Sequence, residues 1–171
     1  MSRPSAPLAA LLLVAALGAC AKKPPKQLPP EPGLSSQEAM PSDGGLGGAP
    51  APGSQADFVA SVASDTIYFD TDRFNIDSGD AATLRSQAQW LARYPGKRIS
   101  LEGHCDERGT RDYNLALGER RANAAKTYLT GLGVGAERIT TISYGKERPV
   151  ALGSDESSWA RNRRAVTITV Q

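Results

Sequence analysis

The chain has 171 residues, 40% of them hydrophobic and 22% charged, enough for one domain of ordinary size plus a tail. Its formal net charge of +2, with no basic runs and no interleaved aromatics, excludes a nucleic-acid footprint. Two cysteines, Cys20 and Cys105, make no disulfide framework.

Residues 8–17 are an apolar run of Leu, Ala and Val, preceded by Arg3 and closed by Gly18-Ala19-Cys20. The run is too short to span a bilayer as a mature helix and reads as the core of a secretory signal peptide over residues 1–19. Leu17-Gly18-Ala19-Cys20 is similar to a bacterial lipobox, which implies cleavage before Cys20 and lipid on its thiol and new amino group. Several acyl chains on one residue anchor firmly where a single chain is marginal. An ordinary signal peptide with an incidental cysteine is the plainer alternative. Ala21, rather than Asp, follows the cysteine. By the same likeness this favours the outer membrane. Residues 20–57 are then expected to be the lipidated cysteine and a disordered linker, because Pro, Gly, Ser, Ala and Lys dominate and no apolar period survives.

The folded part is expected over residues 58–171. Residues 66–69 are β-branched and aromatic, a short strand. Asp70-Thr71-Asp72-Arg73 leaves it as a polar loop. Asp77 or Ser78 caps a helix to about residue 94, with Ala81, Leu84, Ala88 and Leu91 on one face and Pro95-Gly96 as its stop. Residues 98–103 form a second strand, with Ile99 and Leu101 facing one way. A helix over 111–130 follows, with the stripe Leu115, Gly118, Ala122, Ala125 and Leu129. Its small residues allow close packing on a sheet, and Gly131 and Gly133 end it. Residues 139–144 are a third strand, 156–160 one helical turn, and 165–170 a last strand. Its Val166, Ile168 and Val170 are expected inward and Thr167 and Thr169 outward. The order β-α-β-α-β-(short α)-β predicts an α+β fold, a mixed four-stranded sheet with both long helices packed on one face.

Polar groups bunch where the second strand ends and the second long helix begins, a place where ligand sites tend to form. His104, Cys105, Asp106 and Glu107 include one His only, and a lipobox consumes the other Cys, so a metal site is not expected. Cys105 and His104 are adjacent on a strand and point to opposite faces, which disfavours a nucleophile–base pair; Cys105 reads as a small packing residue. Glu102 and Asp106 as paired glycosidase carboxylates lack a long sugar cleft. Two readings stay open. One is a solvated loop with local caps. The other is a site for a ligand carrying both charges, with an Asp accepting from an ammonium group and an Arg forking onto a carboxylate. Asn114 and Arg121, seven apart, share a helix face. An Arg partly buried beside the small-residue stripe needs an anionic partner.

Gly103-His104-Cys105-Asp106-Glu107-Arg108-Gly109, Tyr113-Asn114, Leu117-Gly118-Glu119-Arg120-Arg121-Ala122, Ser143-Tyr144-Gly145 and Asn162-Arg163-Arg164 resemble the OmpA-like peptidoglycan-binding domain, in order, over residues 66–170. The resemblance implies non-covalent binding of peptidoglycan, with no catalysis, cofactor or metal. It implies a ligand, the diaminopimelate of the stem peptide, whose ammonium Asp106 accepts and whose carboxylate Arg121 forks onto. It gives Phe69, Asp70 and Asp72 backbone and polar contacts from the first-strand loop. Asn114 shapes the pocket, and Asn162 and Arg163 support it. Cys105 stands where a small Thr or Ala is frequent in the family. The implied partners are peptidoglycan, the outer membrane through the lipid, and the β-propeller protein TolB with the Tol complex behind it. The implied setting is the periplasmic side of the outer membrane. The implied role is tethering that membrane to the wall, for envelope integrity and constriction at division.

Overall fold

A computed structural model of the chain describes residues 49–170. The expected signal peptide, the lipidation at Cys20 and most of the expected linker lie outside the described residues. The elements are α1 (Gln55–Ser61), β1 (Thr66–Tyr68), α2 (Ser78–Arg93), β2 (Arg98–His104), α3 (Arg111–Gly131), a 3-10 turn (Ala136–Arg138), β3 (Ile139–Gly145), α4 (Glu156–Asn162) and β4 (Arg164–Val170). The sheet order is β1-β4-β2-β3, with β2 and β3 parallel and the other pairs antiparallel. The α+β class and the mixed four-stranded sheet are as the sequence predicts.

Helix α1 is not among the sequence expectations, and its first residues fall inside the expected linker. Ser54 caps it by accepting from the Asp57 amide, and Phe58 is fully buried edge-on against Trp90 at 5.0 Å. Asp57 also takes the Trp90 indole N–H at 3.0 Å. A Ser followed three residues later by an acid, just ahead of an aromatic, is a helix-start signature. The Gly and Pro around it mask that signature.

The phase of β4 is the reverse of the expected one. Ala165 and Thr167 are 2% exposed, whereas Val170 is 38% exposed. Register explains why: Leu101 lies opposite Thr167, Gly103 opposite Ala165, and Ile67 also opposite Ala165, and residues paired across strands point to one face. The helix-covered face is therefore Ile67, Ile99, Leu101, Ala165 and Thr167, leaving Val166 and Ile168 on the other side. Thr167 is tolerated there because its hydroxyl donates to Gln87 Oε1 at 2.8 Å, while Gln87 Nε2 donates to the Ser64 carbonyl at 2.8 Å. A buried polar pair that satisfies itself removes the penalty that hydropathy alone assigns to it. Thr167→Val is expected to lower stability by about 1–3 kcal/mol by stranding the Gln87 oxygen in the core. A urea melt of the variant unchanged from wild type would show that Gln87 finds another donor.

Helix α3 lies against β2 and β3 at glycine-only distance. A Cβ on Gly103 would overlap the Gly118 carbonyl, and one on Gly118 would overlap the Ser143 hydroxyl. The buried face of α3 is Asn114, Leu117, Gly118, Arg121, Ala122, Ala125 and Leu129, with Leu115 half-buried. It is turned from the expected stripe so that two polar residues face inward. The close approach sets the first turns of α3 beside the end of β2.

Candidate functional site

Two loops and the start of α3 enclose a cleft of about 270 Å³. One loop is 70–73, leaving β1. The other is 105–110, between β2 and α3. Thr110 caps α3 by accepting from the Tyr113 amide at 3.2 Å. Asn114, on the first full turn, sends its amide N–H groups back to the carbonyls of Arg108 at 2.7 Å and Thr110 at 3.0 Å. Gly109 takes a φ of +82° in this loop, a left-handed conformation that favours glycine. Asn114 thereby ties the loop to the first turn of α3 and lines the cleft.

Arg121 is fully buried at the floor. Its Nε donates to the Arg73 carbonyl at 2.9 Å, Nη1 to the His104 carbonyl at 2.8 Å and Nη2 to the Asp70 carbonyl at 3.1 Å. Its guanidinium carbon lies 5.1 Å from the centre of the Phe69 ring. Three of the about five N–H donors of a guanidinium are thus used. Among the described residues no carboxylate forms an ion pair with it. Burial lowers its pKa, as it must for a cation withdrawn from water. Carbonyl dipoles hold this charge, and Asp106 and Asp72 favour it only through space.

Asp106, 7% exposed, stands at the opposite wall. One oxygen accepts from the Arg108 amide at 3.1 Å and Arg108 Nε at 3.2 Å. The other accepts from Arg108 Nη2 at 2.6 Å and Arg163 Nη1 at 3.5 Å. Burial pushes the carboxyl up, but the hydrogen bonds and charge of Arg108, with help from Arg163, outweigh it and hold the pKa below its ordinary value. Arg108 is a strap over the mouth: it also donates to Thr71 Oγ1 at 3.2 Å and lies 4.2 Å from the centre of the Trp159 ring. One cleft is therefore lined by a caged carboxylate and by a caged cation with no ion-pair partner among the described residues.

The other expected residues divide. Asp72, with φ +56°, lines the cleft and accepts from the Tyr113 hydroxyl at 3.0 Å. Phe69 and Asp70 contribute carbonyls, to Arg163 and Arg121 respectively, while the Asp70 side chain lines a neighbouring cleft. Arg163 is 6% exposed and is pinned by Phe69, Asp106 and Glu156. It positions Asp106 and does not line this cleft. Asn162 lines neither cleft. It accepts from the amides of Val150 and Ala151 and donates to the Ala151 carbonyl, fastening the segment before α4. Arg108, Thr71, Tyr113 and Leu117 line the cleft but were not among the expected ligand residues. The available signal was a cation two residues beyond Asp106 in a turn.

Cys105 lines the same cleft, donates weakly to the Asn114 carbonyl at 3.3 Å, and has its thiol pushed up to about 11 by burial. It is a neutral packing group. His104 points the other way, stacked on Tyr144 at 5.5 Å, so the two cannot act as nucleophile and base.

A family model described as the OmpA family matches residues 68–163. The chain is 56% identical over 140 residues to the peptidoglycan-associated lipoprotein of Rhizobium meliloti, covering 80% of this chain and 79% of that one. It is 52% identical over 161 residues to the protein of that name from Agrobacterium fabrum, covering 93% and 84%. The crystal structure of the peptidoglycan-associated lipoprotein from Burkholderia pseudomallei superposes with a TM-score of 0.62 at 46% identity, over 63% of this chain and 92% of that one. The C-terminal domain of Helicobacter pylori MotB gives a TM-score of 0.59 over 63% of this chain and 84% of that one, at 19% identity, a likeness of fold alone.

Proposed function

The chain belongs to the OmpA family, and on that premise we propose that it binds peptidoglycan without catalysis, taking the zwitterionic end of a stem-peptide diaminopimelate between Asp106 and Arg121. The observation that carries this reading is Arg121: a fully buried guanidinium with no carboxylate partner among the described residues, at the floor of a cleft whose other wall is Asp106. A buried charge without its counter-charge is destabilising, and a ligand carboxylate supplies one. The ligand ammonium takes the place that the Arg108 guanidinium holds on Asp106. One cation replaces another, so Asp106 stays paired throughout. Both groups are fixed by the fold before the ligand arrives, which limits the ordering entropy of binding.

The relatives named peptidoglycan-associated lipoprotein support extending the reading to the whole chain. Lipid on Cys20 holds the outer membrane, residues 20–57 span the gap, and the domain holds the wall. TolB, and through it the Tol complex, is the proposed protein partner, and envelope integrity and constriction at division are the proposed consequences. Among the described residues no helix is long and apolar enough to cross a membrane.

Co-sedimentation of the protein with purified peptidoglycan, with free diaminopimelate as competitor, tests the site. Binding that the competitor abolishes is expected, with no release of soluble wall fragments. Arg120→Ala should bind as wild type, because Arg120 is exposed, lies 5.8 Å from the Phe74 ring and does not line the cleft. Equal losses at positions 120 and 121 would mean a general surface charge and no pocket. Arg108→Ala removes the main group that depresses the Asp106 pKa. The acid limit of wall binding should therefore move to higher pH in that variant, read as the pH of half-maximal sedimentation. An unmoved limit would detach binding from the Asp106 carboxylate.

A further inference from the structure

A second cleft, of about 300 Å³, adjoins the first across loop 70–73 and is lined by Tyr68, Asp70, Asn75, Asp77, Arg161 and Arg163. None of these residues lines the first cleft. Asp77 is committed to capping α2 through the Asp80 amide at 2.8 Å, and Arg163 is committed to Phe69, Asp106 and Glu156. The side chains of Asp70, Asn75 and Arg161 are exposed and make no hydrogen bond or ion pair among the described residues. Tyr68 is 51% exposed. The cleft thus offers an acceptor, an amide with both functions and a forked donor beside an aromatic ring, with two acids balanced by two arginines. Balanced charge gives an ion no net attraction. Free donors and acceptors beside an aromatic surface suit a neutral molecule with many hydroxyl groups.

The geometry points to this second cleft as a saccharide subsite, which takes a sugar of the glycan strand that carries the stem peptide while the peptide's diaminopimelate occupies the first cleft. The inference rests on the peptide reading above. The reach is consistent. Asp70 and Asp72 face different clefts and are two residues apart, at most about 7 Å along the chain. Diaminopimelate is separated from its sugar by about 10 Å of extended peptide. One loop therefore divides the two parts of one ligand: its Asp70 carbonyl holds Arg121 for the peptide and its Asp70 carboxylate faces the sugar.

The test is calorimetric titration of the full-length protein in detergent with two ligands, a diaminopimelate-containing stem peptide and the same peptide bearing its N-acetylglucosaminyl–N-acetylmuramyl disaccharide. The disaccharide form is expected to bind about fivefold tighter. Tyr68→Ala and Arg161→Ala should each remove most of that gain and leave the affinity for the bare peptide within about twofold, while Tyr68→Phe should keep it. Equal affinity for the two ligands would overturn the subsite, as would a gain that survives both alanine variants. Should the bare peptide fail to bind while the disaccharide form binds in a Tyr68-dependent way, the zwitterion reading falls and the saccharide subsite stands. Should neither ligand bind, both fall.

Discussion

Arg121→Ala should abolish sedimentation with peptidoglycan and at the same time lower the stability of the domain by about 3 kcal/mol or more. The two losses have different origins. Binding fails because the buried cation proposed to receive the ligand carboxylate is gone. Stability falls because the carbonyls of Arg73, His104 and Asp70 converge on this guanidinium, and hydrogen bonds from a charged donor contribute about 1.5–3 kcal/mol each. The effects do not add fully, since the three bonds share one donor group. Even so, they are a large part of the about 5–15 kcal/mol that holds a domain folded. Those carbonyls come from the loop after β1 and from the end of β2, so the residue that receives the ligand also ties together the walls that surround it. Arg121→Lys separates the roles. Its ammonium keeps the charge but lacks the planar fork, so it should recover part of the stability and little of the affinity. Urea melts beside sedimentation read both quantities. A Lys variant that binds like wild type would mean that a point charge suffices. An Ala variant with wild-type stability would mean that water takes over the three carbonyls.

Much of the architecture could be read from the chain because the strong signals are local. Asp77, Pro95 and Gly96 bound α2, and the alternation of Ile99 and Leu101 marks β2 as expected. Long-range pairing decides what could not be read. The apolar residues of β4 alternate cleanly, but which side faces the helices depends on register with β2 and on a glutamine from α2 that satisfies Thr167. Helix α1 hides in Gly- and Pro-rich composition. At the site, Asp106, Asp72, Asn114 and Arg121 are brought to one cleft, while Asn162 sits apart as a fastener of the segment before α4. That distinction is not available from spacing, since Asn162 and Arg163 are neighbours in sequence and serve different loops. The role of Arg108 was hidden for a related reason. Only the folded turn shows that it closes on the acid two residues before it and reaches Thr71 across the cleft.

Asp106→Asn should remove wall binding by about 100-fold or more, a change of about 3 kcal/mol, with a smaller loss of stability. The amide keeps the size and one acceptor oxygen, so the loop retains its shape. It withdraws the negative charge that pairs Arg108 and Arg163 and that the ligand ammonium requires. The pH profile then assigns the effect. The Asp106 pKa lies below its ordinary 3.8, so the folded protein holds the carboxylate ionised where the unfolded chain begins to protonate it. Its contribution to stability is complete above the unfolded value and is lost only as pH falls through the folded one. His104 acts in a different window. Burial, with Arg164 and Arg148, lowers its pKa from 6.5 to about 4, so the unfolded chain takes up the proton first and stability declines as pH falls from 6.5 towards 4. Wild-type binding should stay flat through that decline, because His104 faces away from the cleft, and should fail only below the ordinary carboxylate range, where Asp106 takes up its proton. The Asn variant should keep the decline between 6.5 and 4 and lose the Asp106-dependent step beneath it. Binding that tracks the His104 window instead would place the governing group on the far side of the sheet and remove Asp106 from the centre of recognition.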